Sequence, residues 1–391
     1  MCYMNKDKFI IILVWFLDVL GISMILPTLP DLAKYYWVTE HVISYWITAY
    51  AFFAFLATPF LWQLSDIFWR KKVLLLCVIW TFLSSLTIVF SETYLFFIIW
   101  RIINWITWWN ISILQAIIND ISKNKIEKMA NMWVLWSIFW TAFIFWPLVW
   151  AILLHINVMA PYTFMAFFAF LESIVLIFLF KETNKFKVKK KVSFNPFKLI
   201  LKYFWKKKLR LYLSSFFTMF LAFSIYQAIL SLYLSKEYWV SWSFSWYVYA
   251  VFWLIVVINQ VFFLRRFWLK YFSLNTLLYI INFGAFWVYL LLTFLSFGHY
   301  LFVFLWVFLL LVPFQSLLNP VYQTEIMEHA SDTEKWEISW VVASIHSISM
   351  FIGPLIWWFL LEKNINVFIA SALLIFISII FVFKINKYEN Q

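Results

Sequence analysis

The sequence predicts an all-α membrane protein of about twelve transmembrane helices in two six-helix, pseudo-symmetric bundles. Three observations carry that prediction. Apolar runs of roughly 20 residues, the length that crosses a bilayer core as helix, recur along the whole chain. The composition is 65% hydrophobic and only 12% charged, with a mean hydropathy of +0.88. Lys and Arg gather in alternate loops, the asymmetry that the positive-inside rule describes.

The runs lie at roughly 9–30, 43–64, 73–91, 94–120, 131–154, 160–181, 210–235, 244–265, 272–294, 299–327, 336–361 and 365–385. Backbone polar groups in hydrocarbon must be satisfied within their own segment, so each run is read as a helix. Lys6 and Lys8 precede the first run as they would a secretory signal. That run is too long for a signal, contains Asp18 and lacks a small-x-small cleavage site, so it is expected to remain as the first span. Cys2 and Cys77 lie far apart, and neither a disulfide nor a metal site follows from them.

The net charge of +12 invites a nucleic-acid reading, and its distribution rejects one. Most of the 30 Lys and Arg residues occupy 6–8, 70–72, 123–128, 181–210, 265–270, 335 and 384–387. The opposite side holds only Lys34, Lys236 and Lys363, while Arg101 lies within a span. Both termini are therefore expected in the cytoplasm of a cell with this protein in its plasma (inner) membrane. The partners expected are the bilayer, a small-molecule substrate and protons, with the chain as a monomer.

The longest basic loop divides the chain into residues 1–181, a linker at 182–209, and residues 210–391. Lys185, Lys187, Lys189, Lys190 and Lys191 lead into an aromatic stretch with Lys198 and Lys202. Such a stretch suits the surface of an anionic membrane, although an ordinary positive-inside linker has the same composition. The halves read as repeats. Asp120 ends the fourth run and Glu325 the tenth, and each is followed by a span holding a Pro pattern, Trp146-Pro147-Leu148-Val149-Trp150 and Gly353-Pro354-Leu355-Ile356-Trp357. Parallel six-span repeats imply a substrate site near the bilayer midplane at the repeat interface.

Those two patterns expose a second regularity. The chain has 27 Trp and only 4 Gly; together they make about 8% of the residues, near the ordinary Gly share of about 7%. One Pro pattern begins with Gly and its counterpart with Trp. The expectation is a gene in which UGA means Gly; the alternative is a Trp-rich membrane protein. Trp62, Trp69, Trp105, Trp140, Trp146, Trp150 and Trp357 fall where tight helix packing wants Gly. Membrane helices associate through small residues because lipid is as apolar as Leu, and Trp105, Trp140, Trp146 and Trp357 sit inside spans rather than at interfaces, where Trp is favoured. Overpacking a single crossing typically costs about 1–3 kcal/mol.

Between the second and third runs the chain reads Trp62-Gln63-Leu64-Ser65-Asp66-Ile67-Phe68-Trp69-Arg70-Lys71-Lys72. With Gly at 62 and 69 this resembles the signature loop of the major facilitator superfamily, G-x-L-S-D-x-x-G-R-K/R. Arg101 with Asn104-Trp105 resembles that family's fourth-span R-x-x-x-G motif. Trp136 and Trp140 followed by Trp146-Pro147 and Trp150 resemble the fifth-span G-P-x-x-G motif of proton-coupled drug exporters. With Asp18, Gly21 and Pro27 in the first run, the chain is most similar to the tetracycline and multidrug antiporter branch, over nearly its whole length and most strongly at 9–155. The resemblance implies the major facilitator fold, and a charge cluster of Asp66, Arg70 and Asp120 that latches the cytoplasmic gate. Arg265 and Arg266 with Glu325 are a weaker counterpart, since the 265–270 loop lacks an Asp in the Asp66-like place. Where tetracycline exporters carry an acidic residue in the third span, this chain has Ser84, followed by Ser85. That departure weakens tetracycline as the specific substrate.

No G-x-x-x-x-G-K-[S/T] occurs under either reading of Trp, so neither ATP nor another cofactor is expected to supply power. Attention turns to ionisable residues inside spans, which cost about 2.5–3.5 kcal/mol on insertion scales and are functional by default. These are Asp18, Arg101, Glu172 and His346. A carboxyl group shielded from water exchanges its proton nearer neutrality, which makes Asp18 and Glu172 proton-carrier candidates. Arg101 keeps its charge and suits anchoring a carboxylate. His346 titrates in a useful range, although a lone His on an apolar helix is more often a core residue. Asn110, Gln115, Gln227, Asn259, Gln260, Gln315 and Asn319 are candidates for a substrate pocket.

The function expected is proton-coupled export of a small lipophilic compound by alternating access. Uptake or uniport of a sugar or metabolite is the alternative within the same fold. A membrane-embedded enzyme would need clustered His, Asp and Glu, whereas His41, His155, His299, His329 and His346 are scattered. A scaffold would leave Asp18, Arg101 and Glu172 unexplained.

Overall fold

The computed structural model describes residues 6–23, 32–39, 41–108, 110–122, 156–183, 196–227, 230–240, 242–298, 300–329, 335–363 and 365–389, with isolated positions between 131 and 153. Every element among them is helical: α1 (Lys6–Ser23), α2 (His41–Phe68), α3 (Arg70–Val89), α4 (Tyr94–Trp108), α5 (Ile111–Ile121), α6 (Ala160–Phe178), α7 (Pro196–Phe204), α8 (Lys207–Gln227), α9 (Leu230–Tyr238), α10 (Trp242–Ile258), α11 (Leu269–Tyr271), α12 (Leu274–Leu295), α13 (Leu301–Leu309), α14 (Leu311–Glu328), α15 (Lys335–Glu362) and α16 (Val367–Glu389). A π-helical stretch, Asn259–Trp268, joins α10 to α11. Eight helical segments among the described residues are long and apolar enough to cross a membrane. They correspond to the third and sixth apolar runs and to all six runs of the second half. Of the fifth run only isolated positions are described, and Trp140, Trp146, Pro147 and Trp150 lie outside the described residues.

Several runs read as single helices are interrupted. The fourth returns as α4 and α5, with Asn110 in a turn at the N-cap of α5. The tenth is α13 and α14, separated at Leu310, three residues before Pro313. Proline supplies no N–H and is tolerated in the first turn of a helix, so α14 starts where Pro313 costs no hydrogen bond. Hydropathy is blind to both breaks because the flanking residues are equally apolar.

The chain divides into two compact units, residues 1–43 with 53–194, and 44–52 with 195–391. In the first, α3 packs along α6 and α4, and α1 lies against α6 and α5. The turn between the first two runs is pinned by Tyr36, whose hydroxyl donates to the Ser91 carbonyl at 3.1 Å and meets the Ser91 hydroxyl. Burial pushes the Tyr36 phenol up to about 12, against the opposing effect of its Ser91 hydrogen bond.

In the second unit, α8 is the central helix and packs on α15 and α16, while α12 packs on α16 and α14. A buried polar ring ties four of these helices. The Ser215 hydroxyl lies 2.6 Å from that of Tyr322 and 2.7 Å from that of Ser378, Asn282 Nδ2 donates to the Tyr322 hydroxyl at 2.8 Å, and Ser378 donates to Asn282 Oδ1 at 2.6 Å. With little hydrophobic drive between helices in lipid, such hydrogen bonds and close packing hold a bundle. Gly353 provides the close packing. A Cβ there would stand 2.8 Å from the backbone carbon of Ser224, and the same Ser224 donates to the Ser349 carbonyl at 2.8 Å.

Candidate functional site

In the first unit, α1, the α4–α5 break, α3 and α6 bring together a set of polar groups in an apolar interior. Asp18 on α1 is buried and accepts a hydrogen bond from Asn110 Nδ2 at 2.6 Å. The break before α5 makes that contact possible, since Asn110 stands at the N-cap of α5 without a side-chain bond to that helix. Glu172 on α6 is 1% exposed, within electrostatic reach of Asp18, and its Oε2 has no hydrogen-bond partner among the described residues. Buried Cys77 on α3 also lies within reach of the Asp18 charge. A buried unsatisfied polar atom is uncommon in folded proteins and asks for a functional account.

Arg101 belongs to a neighbouring chain of polar contacts. Its Nη1 donates to Asn104 Oδ1 at 3.3 Å, Asn104 Nδ2 donates to the Ser84 hydroxyl at 2.9 Å, and Ser84 donates to the Thr81 carbonyl at 3.1 Å. The guanidinium lies over the Tyr162 ring, 5.6 Å from its centre, a favourable cation–π arrangement. Ser84, the residue that departs from the tetracycline-exporter pattern, thus sits two hydrogen bonds from Arg101. Sequence reasoning passed over Asn104, whose only signal was its place one turn after Arg101.

At one end of the same unit, Arg70 Nε forms an ion pair with Asp120 Oδ2, Nη2 reaches Asp120 Oδ1 at 3.4 Å, and Nη1 reaches the Ser65 hydroxyl at 3.4 Å. The Asp66 side chain lies outside the described part, as do those of Trp62 and Trp105. The residue missed here is Glu182. Its carboxylate accepts from the backbone N–H of Arg70 at 3.2 Å and of Lys71 at 3.0 Å, the first two amides of α3. These amides have no partner within the helix, and the helix dipole favours negative charge beside them. Lys71 Nζ meanwhile donates to the Phe180 carbonyl at 2.6 Å, and Thr183 Oγ1 donates to Asp120 Oδ2 at 3.3 Å.

Most of the remaining sequence-derived residues lie in the second unit. His346 on α15 is half-buried, its ring edge-on to Phe220 with centres 4.6 Å apart. Glu325 is buried and accepts from the Tyr212 hydroxyl at 3.3 Å, while its carbonyl meets His329 Nδ1 at 2.7 Å. Arg266 is exposed, and the Arg265 side chain lies outside the described part. Asn259 Nδ2 donates to the Ser316 hydroxyl at 2.5 Å, Gln260 Nε2 to the Ser316 carbonyl at 3.1 Å, and Trp268 Nε1 to Asn259 Oδ1 at 2.9 Å. Gln315 Oε1 accepts from the Tyr226 hydroxyl at 3.0 Å, and Asn319 Oδ1 from Gln323 Nε2 at 3.4 Å. The Gln227 carbonyl accepts from the Tyr249 hydroxyl at 2.5 Å, whereas the Gln115 side chain is outside the described part. Pro354 lies inside α15, and Trp357 is buried one turn further on.

Known proteins give this geometry a family. The chain is 29% identical over 185 residues to the class H tetracycline resistance protein of Pasteurella multocida, covering 46% of each. It is 24% identical over 193 residues to multidrug resistance protein 2 of Bacillus subtilis, covering 48% of each. The chain thus spans about half the length of the curated relatives it matches. In three dimensions it is similar to the human organic anion transporter MFSD10 (TETRAN), with a TM-score of 0.77, 18% identity, and coverage of 98% of this chain and 100% of the other. That likeness shows the fold. Residues 11–354 match the Major Facilitator Superfamily, and the chain belongs to that family of membrane transporters.

Proposed function

We propose that this transporter exports a small lipophilic compound in exchange for protons, by alternating access. The observation that supports this reading is Glu172, a buried carboxyl with an oxygen unsatisfied among the described residues, set within reach of the Asp18–Asn110 pair. A carboxyl held in an apolar interior alternates between a neutral and a charged form at a cost that a proton gradient can meet. The tetracycline and multidrug resistance proteins it resembles suggest the substrate class. Arg101, which keeps its charge, offers a counter-ion to a carboxylate in the same region once its proton has left. Asp66, Arg70 and Asp120 serve as the latch of the cytoplasmic gate, with Glu325 as the second half's counterpart.

Reconstitution into vesicles with an imposed pH gradient tests the reading. The wild type is expected to accumulate a lipophilic fluorescent dye only while the gradient lasts. Asp18→Asn and Glu172→Gln should each abolish pH-driven exchange and leave membrane insertion intact. Full pH-driven transport by Asp18→Asn would sink the assignment. Dye counterflow indifferent to pH in the wild type would replace it with uniport of a metabolite.

A further inference from the structure

We propose that the second unit carries a binding site for one anionic phospholipid, at the start of α8 and the end of α16. Lys207, Arg210, Lys384 and Lys387 line a cavity of about 480 Å³ together with Leu211, Ser214, Phe381 and Tyr388. Four cations converge there, and among the described residues none of them forms an ion pair with a carboxylate. Lys207 is steadied instead over the Tyr388 ring, 5.1 Å from its centre. Four like charges around one cavity repel one another, so the arrangement favours an anion that neutralises them.

The apolar surroundings select the kind of anion. Leu211 and Phe381 form part of the cavity wall. Along α16, Leu373, Phe376, Ile377, Ile380 and Phe383 are all exposed. A phosphate bearing acyl chains satisfies both features, with its head group among the cations and its chains along α16. A free phosphate satisfies only the first. The charge bias predicts that this end of the helices faces the cytoplasmic leaflet, whose anionic lipids attract basic clusters. Among the described residues no Trp lines the cavity, so its lining does not itself depend on whether the chain's Trp positions hold Trp or Gly.

Native mass spectrometry of the detergent-purified full chain tests the site, with phosphatidylglycerol and phosphatidylcholine of identical acyl chains. The expected result is at least about a tenfold preference for phosphatidylglycerol, equivalent to 1.4 kcal/mol, that a variant with Gln at 207, 210, 384 and 387 loses. A variant with Gln at 189, 190 and 191 in the linker should keep it. Should the fourfold variant show no cooperative thermal transition, Lys384→Gln with Lys387→Gln is read in the same way. Equal retention of the two lipids, an undiminished preference in the cavity variants, or equal loss in the linker variant overturns the proposal. Displacement of phosphatidylglycerol by millimolar inorganic phosphate assigns the cavity to free phosphate and overturns the lipid.

A separate observation carries a second inference. Among the described residues, the non-glycine positions with positive φ are Trp37 (54°), Trp69 (89°) and Trp239 (57°), and no described Gly has a positive φ. A bulky side chain at positive φ is a conformational outlier, whereas Gly adopts it freely. Trp37 closes a Schellman motif: its N–H reaches the Lys34 carbonyl at 3.2 Å and the N–H of Val38 reaches the Ala33 carbonyl at 2.9 Å. That position is normally Gly. Trp239 directly follows the end of α9, and Trp69 turns the chain between α2 and α3. Exposures of 94% for Trp37 and 90% for Trp239 leave no packing to hold an indole in a strained backbone.

We infer that Gly occupies positions 37, 69 and 239 in the protein as its own cell makes it, through UGA codons read as Gly. Peptide mass spectrometry on protein from the native host should find Gly at all three, and Trp at any of them overturns the inference there. Independently, recombinant chains with Trp37→Gly, Trp69→Gly and Trp239→Gly combined should melt about 2–4 °C higher than the Trp-bearing chain. A lower melting temperature for that variant contradicts the backbone argument.

Discussion

Glu182 shows how one side chain can set two structures at once. Its carboxylate closes the open amides of α3 and thereby fixes the Arg70 backbone, from which the guanidinium reaches Asp120. Replacing Glu182 with Ala should cost about 1 kcal/mol, the usual worth of a helix N-terminal cap, read as a lower thermal midpoint in detergent. Glu182→Asp should recover part of it. Tyr36 gives a second prediction. Its phenol ionises near 10 in the unfolded chain and near 12 in the folded one, so folding favours the protonated form. That contribution is complete below pH 10 and is lost as pH rises toward 12. Tyr36→Phe should remove this alkaline loss from the stability–pH profile and cost about 1 kcal/mol near neutrality for the hydrogen bond to Ser91. Of these residues, Arg70 and Asp120 were legible because a charged motif stands out in an apolar chain. Asn110 was legible only as a polar residue in a span, since its contact with Asp18 depends on a helix break that hydropathy does not register. Glu182 was not legible: a long-range capping acceptor leaves no periodic trace.

Helices were far more legible than side-chain partners. The six apolar runs of the second half all return as helical segments long enough to cross a membrane, because length and hydrophobicity alone decide that much. The interruptions at Asn110 and Leu310 and the π-helical turn after Ile258 depend on local backbone geometry and leave no hydropathy signal. The α8–α15 crossing permits a sharp prediction. Gly353→Ala places a methyl 2.8 Å from the Ser224 backbone carbon, so the helices must part. The overpacking cost of about 1–3 kcal/mol exceeds the roughly 1 kcal/mol that Ala adds through helix propensity. The variant should melt at a lower temperature, and Gly353→Val lower still.

Membership of the Major Facilitator Superfamily accounts for the all-helical build and is the ground on which transport is proposed. Orientation is the next property that charge decides. If the Lys and Arg bias directs insertion, a reporter enzyme active only in the cytoplasm should work when fused after Gln391 and fail when inserted beside Lys236. Replacing the linker lysines at 185, 187, 189, 190 and 191 with Gln should produce mixed orientation in the second half.

One consequence concerns mechanics rather than stability. Thr183 touches Asp120 while Glu182, its neighbour, grips the first turn of α3. The basic sequence that follows is thus attached directly beside the ion pair. A load applied to the chain beyond Thr183 would therefore be felt at the Arg70–Asp120 contact as tension, and shortening that stretch is a different experiment from neutralising its lysines.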